Sequence, residues 1–163
     1  MTNSKNAIER EVIESKVDFD TVVERIFERI GRTDRLSLEE ILAEKDFLRF
    51  SERIKSTIGS SGLMEFATYD LGDALGKDGN SAAYRIIRIV AGNPLIMRQM
   101  VAAVPHAGSY APVTILIYEE GGLVKLAYDR MESCLQSYSS EPALEVARAL
   151  DQKVLNILVE AAS

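Results

Sequence analysis

"PVTILIYEEGGLVKLAY", residues 112–128, decides the fold. Two runs rich in β-branched and aromatic residues flank a short acidic and glycine stretch, the pattern of a β-hairpin. Glu120-Gly121 reads as the two-residue turn, which pairs Ile117 with Val124 and Ile115 with Leu126. Both pairs then share one face with Val113. Thr114, Leu116, Tyr118, Leu123, Lys125 and Ala127 take the other face. This second face is half apolar, so something is expected to cover part of it.

Working upstream, "AYRIIRIVAG" (83–92) is a β-branched run suited to a largely buried strand. Asn93 is a good helix cap and Pro94 a good first helical residue. Ile96, Met97, Met100, Val101 and Val104 then make one helical face, and Pro105 ends the helix. "LMEFATYDLGDAL" (63–75) reads as a strand, or a strand running into a short turn, followed by the turn signal "GKDGN" (76–80). Downstream, "SEPALEVARALDQKVLNILVEAA" (140–162) is a helix capped by Ser140. Its stripe of Leu144, Ala147, Leu150, Val154, Ile157, Leu158 and Ala161 must pack on the sheet.

The N-terminal third is helical after an ambiguous start. In "AIEREVIESKV" (7–17), Ile8, Val12 and Ile13 suit a helical stripe, while Ile8, Arg10, Val12 and Glu14 equally suit one side of an exposed strand. In the next segment Asp18 caps a helix whose stripe is Phe19, Val22, Val23, Ile26, Phe27 and Ile30, and Gly31 stops it. Residues 37–58 continue helical in one or two pieces, with Ser37 and Glu40 at capping-box spacing. "GSSG" (59–62) is a loop.

Composition sets the class. A chain of 163 residues with 47% apolar residues reads as one domain, residues 1–163, able to bury a full core. No run of 18 apolar residues predicts a membrane span. The polar opening lacks the apolar middle of a secretory signal, so the expected location is cytoplasmic. The single cysteine, Cys134, excludes an internal disulfide and a cysteine-rich zinc site, and no metal or other cofactor is expected. The net charge of −6, with no basic block, argues against nucleic acid as a partner.

The ordered features Gly92-Asn93-Pro94 after a strand, a short helix, Pro112 before the strand from Val113 to Tyr118, and a hairpin ending at Tyr128 resemble the bacterial family called domain of unknown function 302. "SKVDFDTVVERI" (15–26) is similar to that family's opening strand-to-helix step. The resemblance covers most of the chain, with residues 34–62 as extra or divergent material. It implies an α+β fold: a curved, mainly antiparallel sheet with helices packed on one face, in the β-α-β(4)-α order of the TATA-binding protein. A helical insert would then lie near residues 34–62, and "AIEREVIES" would be the first strand. It also implies a homodimer, and it supplies no catalytic residues. Some relatives carry a histidine in the second strand, where this chain has Asp70-Leu71.

Seven residues make the candidate ligand-binding set. Gly92 and Asn93 place a helix start just after a buried strand, where free N–H groups attract anions unless the asparagine uses them itself. Arg85 and Arg88 alternate to opposite faces of a strand. One of them faces a covered region and needs an acidic partner, for which Glu65, Asp70 and Asp73 are candidates. His106, the only histidine, is a base only if a carboxylate reaches it, and otherwise closes a helix. Tyr118 and Tyr128 of the hairpin complete the set. Cys134 has no neighbour that activates it. Met97 and Met100 read as core filler.

The favoured function is a non-catalytic, dimeric module holding a small apolar or anionic ligand beside the sheet. The alternative is a purely structural protein whose hairpin face is consumed by a second copy. A third reading is an enzyme using His106 with a carboxylate.

Overall fold

The computed structural model describes residues 6–78 and 84–163. Its chain runs through β1 (Arg10–Glu14), α1 (Phe19–Arg29), α2 (Arg35–Leu42), α3 (Phe47–Thr57), β2 (Met64–Asp70) and α4 (Leu71–Leu75). It continues through β3 (Ile86–Gly92), α5 (Pro94–Ala103), β4 (Val113–Glu120), β5 (Leu123–Asp129), α6 (Met131–Leu135) and α7 (Glu141–Ala162). The fold is α+β. Five strands form an antiparallel sheet in the order β1-β5-β4-β3-β2, so β1 and β2 are its edges. The ambiguous opening segment is therefore a strand, with Arg10, Val12 and Glu14 on the exposed side. The four later strands expected from the resemblance are present, but α5 stands between β3 and β4. The Gly79-Asn80 end of the expected turn lies outside the described residues.

The hairpin faces are as the alternation requires, but the register differs by two residues. Ile117 pairs with Leu126 and Ile115 with Tyr128, because the turn is Gly121-Gly122 rather than Glu120-Gly121. Both glycines have positive φ, +62° and +79°, as a tight hairpin turn of this twist demands. A shift of two preserves parity, so each side chain keeps its face.

One face of the sheet is covered. Ile89, Ile115, Ile117 and Leu126 are fully buried there beneath α1 and α7, and α5 packs beside α7. Each such side chain contributes about 1.5–3 kcal/mol of burial. All seven residues of the α7 stripe are buried. Ser140 precedes α7 but makes no side-chain cap, and Glu141 instead holds Arg148 at 2.6 Å.

Residues 34–62 form two helices beside the β2 edge. Their small core joins Ile41 and Ile54 to Met64. The capping box expected at Ser37 is not used: Asp34 is the cap and accepts from the Ser37 N–H at 3.0 Å. Gly31 does not close α1 through a left-handed turn. It is needed because a Cβ there would lie 1.7 Å from the Thr57 carbonyl oxygen, where the ends of α1 and α3 meet.

Candidate functional site

Among the described residues no helix covers the other sheet face. Alternation brings Val12 of β1, Ala127 of β5, Leu116 and Tyr118 of β4, Arg88 and Val90 of β3 and Tyr69 of β2 to that side. Val12, Tyr69 and Leu123 are exposed large apolar or aromatic residues on it.

A groove of about 430 Å³ runs over the end of this face. Thr114, Leu116 and Ala127 form its floor, and the loop carrying Tyr110 and Pro112 forms a wall. Two arginines border it, in different electrostatic states. Arg10 lies directly opposite Asp129 across the β1–β5 ladder and donates to both carboxylate oxygens, at 2.6 and 2.9 Å. That bidentate bond holds the Arg10 guanidinium above its ordinary pKa and neutralises its charge locally. Arg88 donates only to the Thr114 hydroxyl, at 3.3 Å, and among the described residues no carboxylate pairs with it. The groove thus presents an apolar floor and one unneutralised guanidinium, a combination suited to a small anion with an apolar body.

The remaining candidates are spread over the molecule. Arg85 and Arg88 do face opposite sides. Arg85 turns to the helical side, where Asp20 at the start of α1, and not Glu65, Asp70 or Asp73, accepts from both its terminal nitrogens. Its guanidinium lies 4.2 Å over the Phe19 ring. Asn93 consumes its own hydrogen-bonding capacity: its Oδ1 accepts from the Leu95 N–H at 2.8 Å and its Nδ2 donates to the Gly62 carbonyl at 2.9 Å. Gly92 lies against Pro112, whose Cβ would be 3.1 Å from an added Cβ. Tyr118 shares the open face with Arg88, and Tyr128 is among the residues lining the groove, but the Tyr128 ring is buried in the core and its hydroxyl is engaged by Asp151.

His106 is exposed in a short 3-10 turn and stacks on Tyr138 with ring centroids 5.0 Å apart. Among the described residues no carboxylate is bonded to it, so the arrangement required of a His106 base is not present there. Cys134 is buried, and burial pushes its thiol pKa up, away from the reactive thiolate. Among the described residues no three His, Cys, Asp or Glu side chains cluster to hold a metal ion.

The family model described as "Domain of unknown function DUF302" matches residues 39–161. This chain belongs to the DUF302 family. Its fold is similar to the crystal structure of an uncharacterized conserved DUF302 protein from Bacillus stearothermophilus, with a TM-score of 0.66 at 12% identity. The match covers 94% of this chain and 98% of that one. At that identity the likeness concerns the fold alone. The family model begins at residue 39, so most of residues 34–62 lies within the span that it matches. No curated protein matches the sequence. No helix among the described residues is long and apolar enough to cross a membrane.

The groove residues that sequence reasoning missed are Arg10, Asp129, Tyr110 and Pro112. Arg10 and Asp129 are adjacent only because the first strand joins the last, which no local pattern announces. Thr114 and Leu116 were legible from alternation along the hairpin.

Proposed function

We propose that this DUF302 chain is a non-catalytic, single-domain binding module of the cytoplasm that works as a homodimer. It holds a small anion with an apolar body in the groove on the open sheet face. The observation that carries the reading is Arg88, a guanidinium without a carboxylate partner among the described residues, beside the apolar floor of Leu116 and Ala127. An arginine offers a fixed fork of donors to a carboxylate or phosphate, and the apolar floor adds contact area for the rest of the ligand.

Thermal unfolding with a panel of small aromatic and aliphatic carboxylates and phosphates tests it. A binding compound at 100 times its Kd adds about 2.7 kcal/mol of stability, and Arg88→Ala removes the shift while leaving the unliganded Tm unchanged. A panel without any shift overturns ligand binding.

The second reading, a purely structural homo-oligomer, is favoured by Val12, Tyr69 and Leu123, which leave apolar surface exposed on the same face. Sedimentation decides the pairing that both readings share. A dimer that Val12→Lys splits into monomers supports it, and a strict monomer at high concentration overturns it.

A further inference from the structure

A second cavity lies behind the sheet end that carries Gly92. It holds about 160 Å³ and its walls, which include Phe66, Met97, Met100, Val113 and Leu150, are apolar almost throughout. Three of its residues, Leu42, Pro94 and Met97, also line a groove of about 480 Å³ between α2, α3 and α5. Cavity and groove therefore adjoin at these residues, of which Leu42 comes from residues 34–62 and Pro94 and Met97 from α5. An apolar cavity of about 150 Å³ is large enough to take a benzene-sized hydrocarbon and stays dry when empty. A charged group has nothing to bond to inside it and is excluded by the cost of desolvation.

The groove is different at its rim. Arg98 lines it, and its guanidinium lies 4.4 Å over the Phe47 ring. Stacking on an aromatic face leaves the N–H edges of a guanidinium free for a planar anion. Among the described residues Arg98, like Arg25, Arg49 and Arg88, has no carboxylate partner, whereas Arg10, Arg32, Arg85, Arg130 and Arg148 have one.

We infer that α2, α3 and α5 together bind a medium-chain carboxylate, with its hydrocarbon end in the cavity beside Met100 and its carboxylate at Arg98. The site does not use Arg88, although its cavity shares Pro112 and Val113 with the open-face groove. It also gives residues 34–62 a role: Leu42 and Phe50 supply apolar lining to the groove.

The methionines report on the two sites separately. Met97 and Met100 line the cavity, and Met131 lines the open-face groove. Decanoate is titrated into protein labelled with 13C at the methionine methyls, with decanol as the uncharged control. Saturable shifts of Met97 and Met100 are expected. Arg98→Gln, an exposed substitution, should weaken decanoate about fivefold, the effect of losing one exposed ion pair, and leave decanol binding unchanged. No saturable shift, a shift confined to Met131, or equal decanoate affinity in wild type and Arg98→Gln overturns the assignment. The Arg88→Ala variant must bind decanoate like the wild type, so a failure here is distinguishable from a failure of the open-face reading.

Discussion

The Tyr128 hydroxyl donates to Asp151 Oδ1 at 2.6 Å, joining the last strand of the sheet to the middle of α7 in the core. The same carboxylate accepts from the backbone N–H groups of Met131 and Glu132, at 2.7 and 3.1 Å. Asp151 thereby does for α6 what a cap residue does, since Arg130 at the cap position makes no side-chain cap bond. A carboxylate that is only 1% exposed persists because these three donors replace its water and the Arg130 guanidinium, 3.7 Å away, offsets its charge.

Asp151→Ala strands those donors in the core. It should destabilise the protein by about 3–5 kcal/mol, against about 1–2 kcal/mol for Tyr128→Phe, which leaves the two backbone bonds intact. Urea denaturation of both single variants and the double variant measures this. The double variant should cost less than the sum, because both changes remove one shared bond.

The same pair sets a pH dependence. Burial, then the charge of Asp151 and its hydrogen bond, raises the Tyr128 hydroxyl pKa far above its ordinary value. A group with a raised folded-state pKa contributes stability that is whole below the unfolded value, about 10 for tyrosine, and declines above it. Unfolding free energy should therefore fall as pH rises past about 10, by up to about 1.4 kcal/mol per pH unit from this group. Tyr128→Phe should flatten that decline. Equal alkaline slopes in both proteins would show that Tyr128 does not contribute.

Asp18 and Asp34 give the acid limb. Each accepts from a backbone N–H of the helix it caps, and hydrogen bonding holds each carboxyl below its ordinary pKa. Their support is present above the unfolded value of about 3.9 and is lost as pH falls through the lowered one. Asp18→Asn, which caps without a charge, should reduce the loss of stability between about pH 5 and about pH 3, read by far-ultraviolet circular dichroism.

Gly31 and Gly59 form a backbone crossing. A Cβ on Gly31 would meet the Thr57 carbonyl, and a Cβ on Gly59 would come within 2.4 Å of the Arg29 carbonyl oxygen. Backbone atoms cannot swing aside as a side chain can. Gly31→Ala should therefore cost at least the upper end of the ~1–3 kcal/mol typical of overpacking. Gly76→Ala, where a Cβ meets nothing, is the control expected to change Tm little.

Periodicity carried the parts of this fold that depend on one element at a time. The faces of the hairpin, the α1 and α7 stripes and the Asn93-Pro94 helix start follow from alternation, 3.6-residue spacing and cap chemistry. What periodicity could not carry was contact between distant segments. The Gly121-Gly122 turn changed the register without changing the faces. Asp34 outcompeted Ser37 as a cap, three residues earlier. Asp151 sits one position from the stripe residue Leu150 and reads as an ordinary polar residue until Tyr128 and α6 arrive beside it. At the groove, Arg88 was identifiable as one of two arginines on opposite faces. Which of them stays free depends on Asp20 capturing Arg85, a contact between α1 and the sheet.

The open sheet face as a binding surface is tested most directly by methyl spectra of protein labelled at alanine and leucine, titrated with a compound from the carboxylate and phosphate panel. Ala127 and Leu116, on the groove floor, should shift together and saturate, while Ala147 and Leu144 on the buried face of α7 stay in place. Methyls of Ala127 and Leu116 that stay fixed at saturating ligand, or an unchanged response in Arg88→Ala, would contradict it.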